Sequence, residues 1–410
     1  MSRTRYLVGL LAFSAVAASC GAVRAQMAAP AAGPTPGGNR ISLTAAERVT
    51  YDDNAAGGSA GLAALRGLTP QDVVYASSLG AMLQQPIGSQ IVFLQANGEI
   101  DRHQKNSSLD AQNLTAAVGF SGHLGACTGG VTEDYSRQRT ATSQLVLIVA
   151  KNISNQLATN LQVNCQTGKV SGGLFATHVE LKNSAAGYVD STSDTVGTNI
   201  GYYNNTLGSL SVASQINRIS YAAPVLAGAV QTPDVETFSG GLTYKRRVGL
   251  RLSGEISVFY SSVDSKRSVN SLAAQNTNFK GLTSNVSLHY QPTSRTQLEI
   301  QYNRSVQPSS SIGSTFSVSQ MGTVSGTYAL STRVNLRLGG SLQQNNYKGG
   351  VPLVGVVQRD ETKTVFASAT LKVGRYASLD LSATHSNRDT DVAIFNQQDS
   401  RVTLAVTGKF

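Results

Sequence analysis

The feature that most constrains this chain is an alternation of apolar and polar residues that recurs along most of its length. Leu114, Val118 and Phe120 share one parity, whereas Thr115 and Ser121 take the other. A period of two places alternate side chains on opposite faces of a β-strand. The same alternation returns at 153–165, 248–260, 282–290, 296–302, 334–342 and 379–383. The sequence therefore predicts an all-β protein whose strands each have one apolar face.

The lengths of the segments and of their connections distinguish a soluble all-β protein from a membrane barrel. The segments run to about 10–16 residues, longer than ordinary globular strands and close to the 9–11 residues with which a tilted strand crosses a bilayer. Short connections such as 85–88, 246–249 and 374–376 alternate with long ones such as 53–69 and 262–277. Short periplasmic turns and longer extracellular loops are typical of an outer-membrane barrel.

The number of segments gives the size of the predicted barrel. We count eighteen strands between residues 41 and 410, and sixteen remain possible if 41–84 or the cysteine-bearing hairpin is irregular. Only 14% of the residues are charged, against roughly 25% in soluble domains. The fold class predicted is a transmembrane antiparallel β-barrel of about eighteen strands.

The first 25 residues have the layout of a secretory signal peptide. Arg3 and Arg5 precede an apolar stretch, and small residues lead to a cleavage site before Gln26. Cys20 leaves a lipoprotein signal open as an alternative. The predicted order along the chain is signal peptide (1–25), flexible periplasmic lead-in (26–40) and outer-membrane β-barrel (41–410).

The apolar runs and the cysteines limit the cellular compartments in which this chain can reside. Outside the signal peptide the longest candidate apolar run, 145–150, has six residues, and a spanning helix needs roughly 18, which excludes a helical inner-membrane protein. After cleavage only Cys127 and Cys165 remain, on the same parity near the short-turn ends of neighbouring strands. An exported protein meets an oxidising compartment, so a structural cross-hairpin disulfide is a candidate.

The last strand carries the sharpest local signal. Val402, Leu404 and Val406 share one parity, and the strand ends at Phe410. It resembles the C-terminal assembly signal of bacterial outer-membrane proteins, which predicts the barrel assembly machinery as a partner. We expect this strand to pair with 41–52, because an open edge in lipid would leave backbone N–H and C=O groups unsatisfied.

A set of charged residues lies opposite the apolar parity and is predicted to line the channel. Arg or Lys on the lipid face would cost about 2–4 kcal/mol each near the midplane, which favours the inside. Two roles stay open, a mutually neutralising wall network or a polar, mildly basic, amide-lined channel for hydroxyl-rich or anionic polymers. Inward loops or the 53–69 segment could plug such a pore. The candidates are Lys245, Arg251, Glu255, Glu299, Arg337 and Asp380.

No motif indicates catalysis or a cofactor. The five His lack metal-ligand spacing, and there is no C-x-x-C. His385 begins only a fragment of a phospholipase-like strand motif. Asp52, Asp53 and Asn54 could hold Ca²⁺ or sugar hydroxyls, although such a run is also an ordinary loop entry. We expect no catalytic residues, no metal, no cofactor and, because Lys and Arg are scattered singly, no nucleic acid.

Three short motifs carry a family resemblance. Arg48 to Asn54 (RVTYDDN), Gln71 to Val74 (QDVV) before a strand–Pro–strand hairpin, and Asp134 to Gln138 (DYSRQ) resemble the outer-membrane β-barrel porins associated with exopolysaccharide biosynthesis loci of Proteobacteria. The resemblance would cover 41–410. It implies a Gram-negative outer-membrane barrel, in contact with lipid and a polysaccharide export assembly, that takes part in export or surface display of an exopolysaccharide. A general or solute-specific diffusion porin is the alternative, and an enzymatic or structural barrel is less favoured.

Overall fold

The computed structural model describes residues 40–140, 152–184, 190–222, 234–265, 278–308, 316–348 and 357–410. The predicted signal peptide, the lead-in up to residue 39 and parts of several predicted long loops lie outside these ranges. The strands are β1 (Arg40–Asp52), β2 (Asp72–Ile87), β3 (Gln90–His103), β4 (Ala111–Leu124), β5 (Cys127–Thr140), β6 (Asn152–Thr167), β7 (Val170–Asn183), β8 (Ser191–Asn204), β9 (Gly208–Tyr221), β10 (Val235–Val248), β11 (Leu252–Ser265), β12 (Phe279–Tyr290), β13 (Thr296–Pro308), β14 (Phe316–Ala329), β15 (Val334–Lys348), β16 (Arg359–Val373), β17 (Ala377–Thr390) and β18 (Gln397–Lys409).

The eighteen strands close into one antiparallel barrel. Each strand pairs with its neighbour in sequence, and β1 also pairs with β18, from Thr44 opposite Lys409 to Asp52 opposite Arg401. Closure removes both sheet edges, as a barrel in lipid requires. The predicted all-β barrel of about eighteen strands is confirmed.

The two faces of the wall follow from the alternation. In β10, Phe238, Leu242 and Tyr244 are exposed, whereas Ser239 and Thr243 on the other parity are buried. Successive strand side chains point to opposite faces, so the exposed apolar set forms the outer surface and the polar set faces the lumen. This distribution is the reverse of a soluble protein and matches hydrocarbon outside and water inside.

Glycines open several of the short turns. Gly88 and Gly168 have φ values of 63° and 59°, in the left-handed region that L side chains rarely adopt. Each opens a two-residue connection between long strands. Near these turns the structure bonds Cys127 to Cys165, which stand directly opposite each other on β5 and β6.

The connection between β1 and β2 contains the helix α1 (Ala60–Leu65), whose N-cap Ser59 accepts a hydrogen bond from the Leu62 N–H at 3.3 Å. Leu62 is fully buried against Val357 and Phe395. Short 3₁₀ turns lie at Ser107–Leu109 and Ala393–Phe395. Of the helices in the described ranges, none is long and apolar enough to cross a membrane.

Candidate functional site: the barrel lumen

One sector of the inner wall, formed by β6 to β9, carries only neutral side chains at its described positions. Within the described strands β6 to β9, every inward position carries a neutral side chain, mostly an amide or a hydroxyl. Asn160 accepts a hydrogen bond from Thr177 at 3.0 Å, and Asn217 accepts one from Ser193 at 3.0 Å. Other amides of the sector are exposed to the lumen. They are Gln162, Asn164, Gln166 and Gln215.

Among the residues predicted to line the channel, Lys245 and Glu255 face the lumen from neighbouring strands. They stand opposite each other in β10 and β11, and Nζ of Lys245 lies 2.7 Å from Oε2 of Glu255. Glu299 of β13 also points inward and accepts a hydrogen bond from Gln301 at 2.7 Å. Lys245 and Glu255 neutralise each other, as a wall network would, whereas the partner of Glu299 is a neutral amide.

The remaining candidates are divided between wall and turn. The Arg337 guanidinium carbon lies 5.3 Å from the ring centroid of Phe366. Asp380 accepts hydrogen bonds from Thr370 at 2.5 Å and Ser378 at 3.1 Å. Arg251 is in the turn between β10 and β11, at the periplasmic entrance, because the chain leaves β10 at Val248 and re-enters the wall only at Leu252.

A buried charge cluster on the inner wall was not singled out by the sequence. Asp360 is 2% exposed and accepts hydrogen bonds from Arg388 at 2.8 Å, Asn345 at 2.8 Å and Tyr347 at 3.0 Å. These four side chains come from β15, β16 and β17 near their extracellular ends. Only the strand register brings them together, since the residues are widely spaced in the chain.

A second cluster lies where the barrel closes. One carboxylate oxygen from each of Asp52, Asp53 and Asp399 lies within 4.8 Å of the others, a spacing that a cation could use. Arg401 already enters this group, with Nε 3.0 Å from Asp52 and Nη2 2.7 Å from Asp399. The Arg401 guanidinium therefore supplies the positive charge among these carboxylates, and we interpret the cluster as a contact that joins β1 to β18.

Polar contacts fix the loops above β2 and β3. Both carboxylate oxygens of Asp72 accept backbone N–H groups, from Lys105 at 2.9 Å and Asn106 at 3.0 Å. Asp110 accepts the N–H of His103 at 2.8 Å and pairs with Arg102 at 3.1 Å. Burial alone would raise the pKa of Asp110, but the His103 N–H and the Arg102 guanidinium outweigh it and hold that pKa below its usual value.

The junction between β12 and β13 is open at its extracellular end. Paired residues run only from Tyr290 opposite Leu298 to Ser284 opposite Arg304. Above that point, residues 279–283 pair with β11 alone and residues 305–308 pair with β14 alone. The two strands thus separate while each keeps its other neighbour.

The described strand ends of the β13–β14 hairpin, 305–308 and 316–319, lean into the lumen. Phe316 and Val318 are 3% and 7% exposed, although Val324, on the same parity lower in β14, is 56% exposed on the outer surface. Phe316 meets Phe279 edge to face, with ring centroids 6.3 Å apart. Phe316 and Val318 belong to one buried group with inward residues of β9, β10 and β11, which we call the inner apolar cluster. Its members are Ile219, Val235, Val263, Phe316 and Val318.

The α1 connection narrows the mouth from another side. Leu62 reaches Val357 before β16 and Phe395 before β18, and Tyr347 of β15 packs against the same group. The 53–69 segment, which the sequence suggested as a plug, therefore covers part of the mouth beside β15 to β18.

Comparison with known proteins agrees with this architecture. Residues 236–410, which span β10 to β18, match the family model described as "Putative beta-barrel porin 2". The chain is a porin-like outer-membrane β-barrel. The match covers less than half of the chain, and the strands outside it, β1 to β9, belong to the same closed barrel. The barrel belongs in the outer membrane of a Gram-negative bacterium, as predicted.

Solved structures share the fold of this porin-like barrel. OccK2 (OpdF) of Pseudomonas aeruginosa, solved with glucuronate, has a TM-score of 0.51 at 10% identity and covers 91% of this chain and 98% of its own. The siderophore receptor PirA of Acinetobacter baumannii has a TM-score of 0.50 at 7% identity, covering 90% and 80%. At such identities the likeness concerns the fold alone. No curated protein matches the chain.

Proposed function

We propose that the barrel is a channel that takes part in the export or surface display of a secreted exopolysaccharide. The observation that carries this proposal is the uncharged sector of β6 to β9. In this proposal the barrel lies in outer-membrane lipid, is inserted by the barrel assembly machinery and acts with a polysaccharide export assembly. The residues of the barrel itself perform no covalent chemistry.

Amides suit a passing sugar chain because each can both donate and accept a hydrogen bond. Gln162, Asn164 and Gln166 follow one another along the inner face of β6 and are exposed to the lumen. A sugar hydroxyl can exchange from one amide to the next without stripping water from a charged group, whose desolvation costs far more. Many weak and similar contacts favour movement along the wall over tight binding.

A diffusion porin for small solutes is the second candidate. The charged pairs of the other sectors favour it, since Lys245 with Glu255 and Arg48 with Glu99 leave little net charge on the wall. Such a wall would admit small solutes of either sign.

The test is polymer release from the source bacterium. Deletion of the gene should trap polysaccharide in the periplasm, and the intact gene should restore release. Asn164→Asp places a charge in the neutral sector and should slow release several-fold. Asn335→Asp, inward on β15 beside Arg337, makes the same change in a charged sector and should leave release near wild type.

Unchanged secretion after deletion contradicts the export role. In that case, conductance of the purified barrel with small solutes decides whether it is a diffusion porin. Equal effects of the two Asn→Asp variants would show that the neutral sector has no special part in transport.

A further inference from the structure

The charges of the barrel are distributed unevenly along its axis. We call the periplasmic rim the short turns together with the three strand residues that border each of them, and the matching ends 40–42 of β1 and 407–410 of β18. The chain has 23 Asp and Glu residues, and none of them lies in the rim. The rim carries ten cations, which are Arg40, Lys169, Arg246, Arg247, Arg251, Arg295, Arg333, Lys372, Arg375 and Lys409. The periplasmic end of the barrel is therefore strongly basic.

Four of these cations have inward parity and are exposed at the periplasmic mouth. They are Arg40 of β1, Arg247 of β10, Lys372 of β16 and Lys409 of β18. In β10, for example, Arg247 shares the parity of the buried inward residues Ser239 and Thr243. Because β10 lies across the ring from β1, β16 and β18, the four cations border the mouth from two sides.

The four lumen-facing cations of the rim are not neutralised. Among the residues that the structure describes, none of the four forms an ion pair with a carboxylate. Higher in the lumen, by contrast, Lys245 lies 2.7 Å from Glu255 and Arg388 lies 2.8 Å from Asp360. The positive charge that a solute can reach is therefore concentrated at the periplasmic mouth.

Cations around an aqueous entrance attract anions. The low-dielectric wall focuses their field into the mouth and raises the local concentration of ions of opposite charge. Lys and Arg also donate charge-assisted hydrogen bonds to carboxylates and phosphates, which are stronger than neutral ones. Turn residues such as Arg251 and Arg333 extend the positive field towards the periplasm. Above the mouth, the neutral sector of β6 to β9 offers no charge that would hold the anion.

We infer that the periplasmic mouth is a binding site for anionic groups. It takes carboxylate- or phosphate-bearing solutes, and it lies on the side from which an exported solute enters. The inference goes beyond the proposed function, because it requires only that the barrel conducts and applies to a polymer and to a small solute alike. For the proposed exopolysaccharide it adds that the polymer carries acidic groups.

Two neighbouring arginines of β10 provide a matched test. Arg247 has inward parity, whereas Arg246 has outward parity at almost the same depth. In a planar bilayer with a KCl gradient at low ionic strength, where screening is weak, the wild type should prefer chloride to potassium. Arg247→Glu should lower the chloride-to-potassium permeability ratio several-fold, and adding Lys372→Glu should lower it further. Arg246→Glu and Arg247→Lys should both stay near the wild-type ratio.

A second measurement does not depend on conduction. An oligogalacturonate, used as a polyanionic probe, should bind the barrel in detergent micelles several-fold more weakly after Arg247→Glu than after Arg246→Glu. A neutral dextran oligomer of the same length should not distinguish the two variants. Heat-modifiable migration on gels shows that both variants are folded.

Two results would overturn the inference. The first is a wild-type barrel without preference for chloride. The second is an equal effect of Arg246→Glu and Arg247→Glu, because the rim would then act on the membrane surface, for example on anionic phospholipid headgroups, rather than in the lumen. Chloride preference that depends on Arg247, together with unchanged polymer secretion after gene deletion, would support the site and contradict only the export role.

Discussion

The ion pair of Asp360 and Arg388 allows a test of whether burial or contact distance determines how much an ion pair contributes to the stability of the barrel. Its Nη2–Oδ2 distance is 2.8 Å, and the side chains are 2% and 9% exposed. Lys245 and Glu255 form a pair of nearly equal length, 2.7 Å, but their side chains are 37% and 28% exposed. The two pairs therefore differ in their access to water and hardly in contact length.

The expected magnitudes differ severalfold. Arg388→Met leaves the Asp360 carboxylate buried without its cation, a change that costs about 3–5 kcal/mol of unfolding free energy. Asn345 and Tyr347 still donate to the carboxylate, so we expect the lower end, about 3 kcal/mol. Lys245→Met should cost about 0.2–1 kcal/mol, because water reaches Glu255.

The measurement is denaturant unfolding of the barrel in detergent micelles. The chain has no Trp, so the transition is followed by far-UV circular dichroism or by heat-modifiable migration on gels. Asp360→Asn combined with Arg388→Met removes both charges and should recover part of the loss. The reasoning is refuted if Arg388→Met and Lys245→Met destabilise equally, or if the double variant is no better than Arg388→Met.

Two further predictions concern the wall and its loops. Cys127→Ser with Cys165→Ser releases a cross-link over a sequence separation of 38 and should cost up to about 4 kcal/mol by loop entropy, measured by the same unfolding assay; an unchanged midpoint would contradict this. Asp110→Asn should destabilise the barrel at neutral pH, where the depressed pKa of Asp110 contributes stability. That contribution is fully present above the carboxyl pKa of the unfolded chain and is lost as pH falls through the lower folded pKa, so the variant and wild type should converge in acid; a gap that persists at the lowest pH would contradict it.

The strands were predictable because the period of two is set by the wall itself. Leu242 and Thr243 show this, since each takes the face that its parity assigns. Turn boundaries were less predictable, and Arg251 shows why. Its parity agrees with an inward wall residue, but the chain is still in the turn at that position.

Contacts that depend on strand register or tertiary packing could not be predicted from the alternation of apolar and polar residues. Asp360 and Arg388 meet only through the pairing of β16 with β17, which places Thr362 opposite Arg388 and Asp360 one row above. The inward packing of the β13–β14 hairpin could not be predicted from the sequence for a different reason. Val306, Phe316 and Val318 alternate with polar residues as wall residues do, so periodicity cannot show that they pack against the inner apolar cluster.

The pairing of β1 with β18 has a consequence for folding. Seventeen of the strand pairings join neighbours in sequence, whereas this one brings Thr44 to Lys409 across almost the whole barrel sequence. Local hairpins form readily, but the closing contact must overcome the loop entropy of the entire chain. Until that step the sheet keeps two free edges whose backbone groups hydrocarbon cannot satisfy. Insertion and closure are therefore one coupled event, and a defect at this single junction affects all eighteen strands.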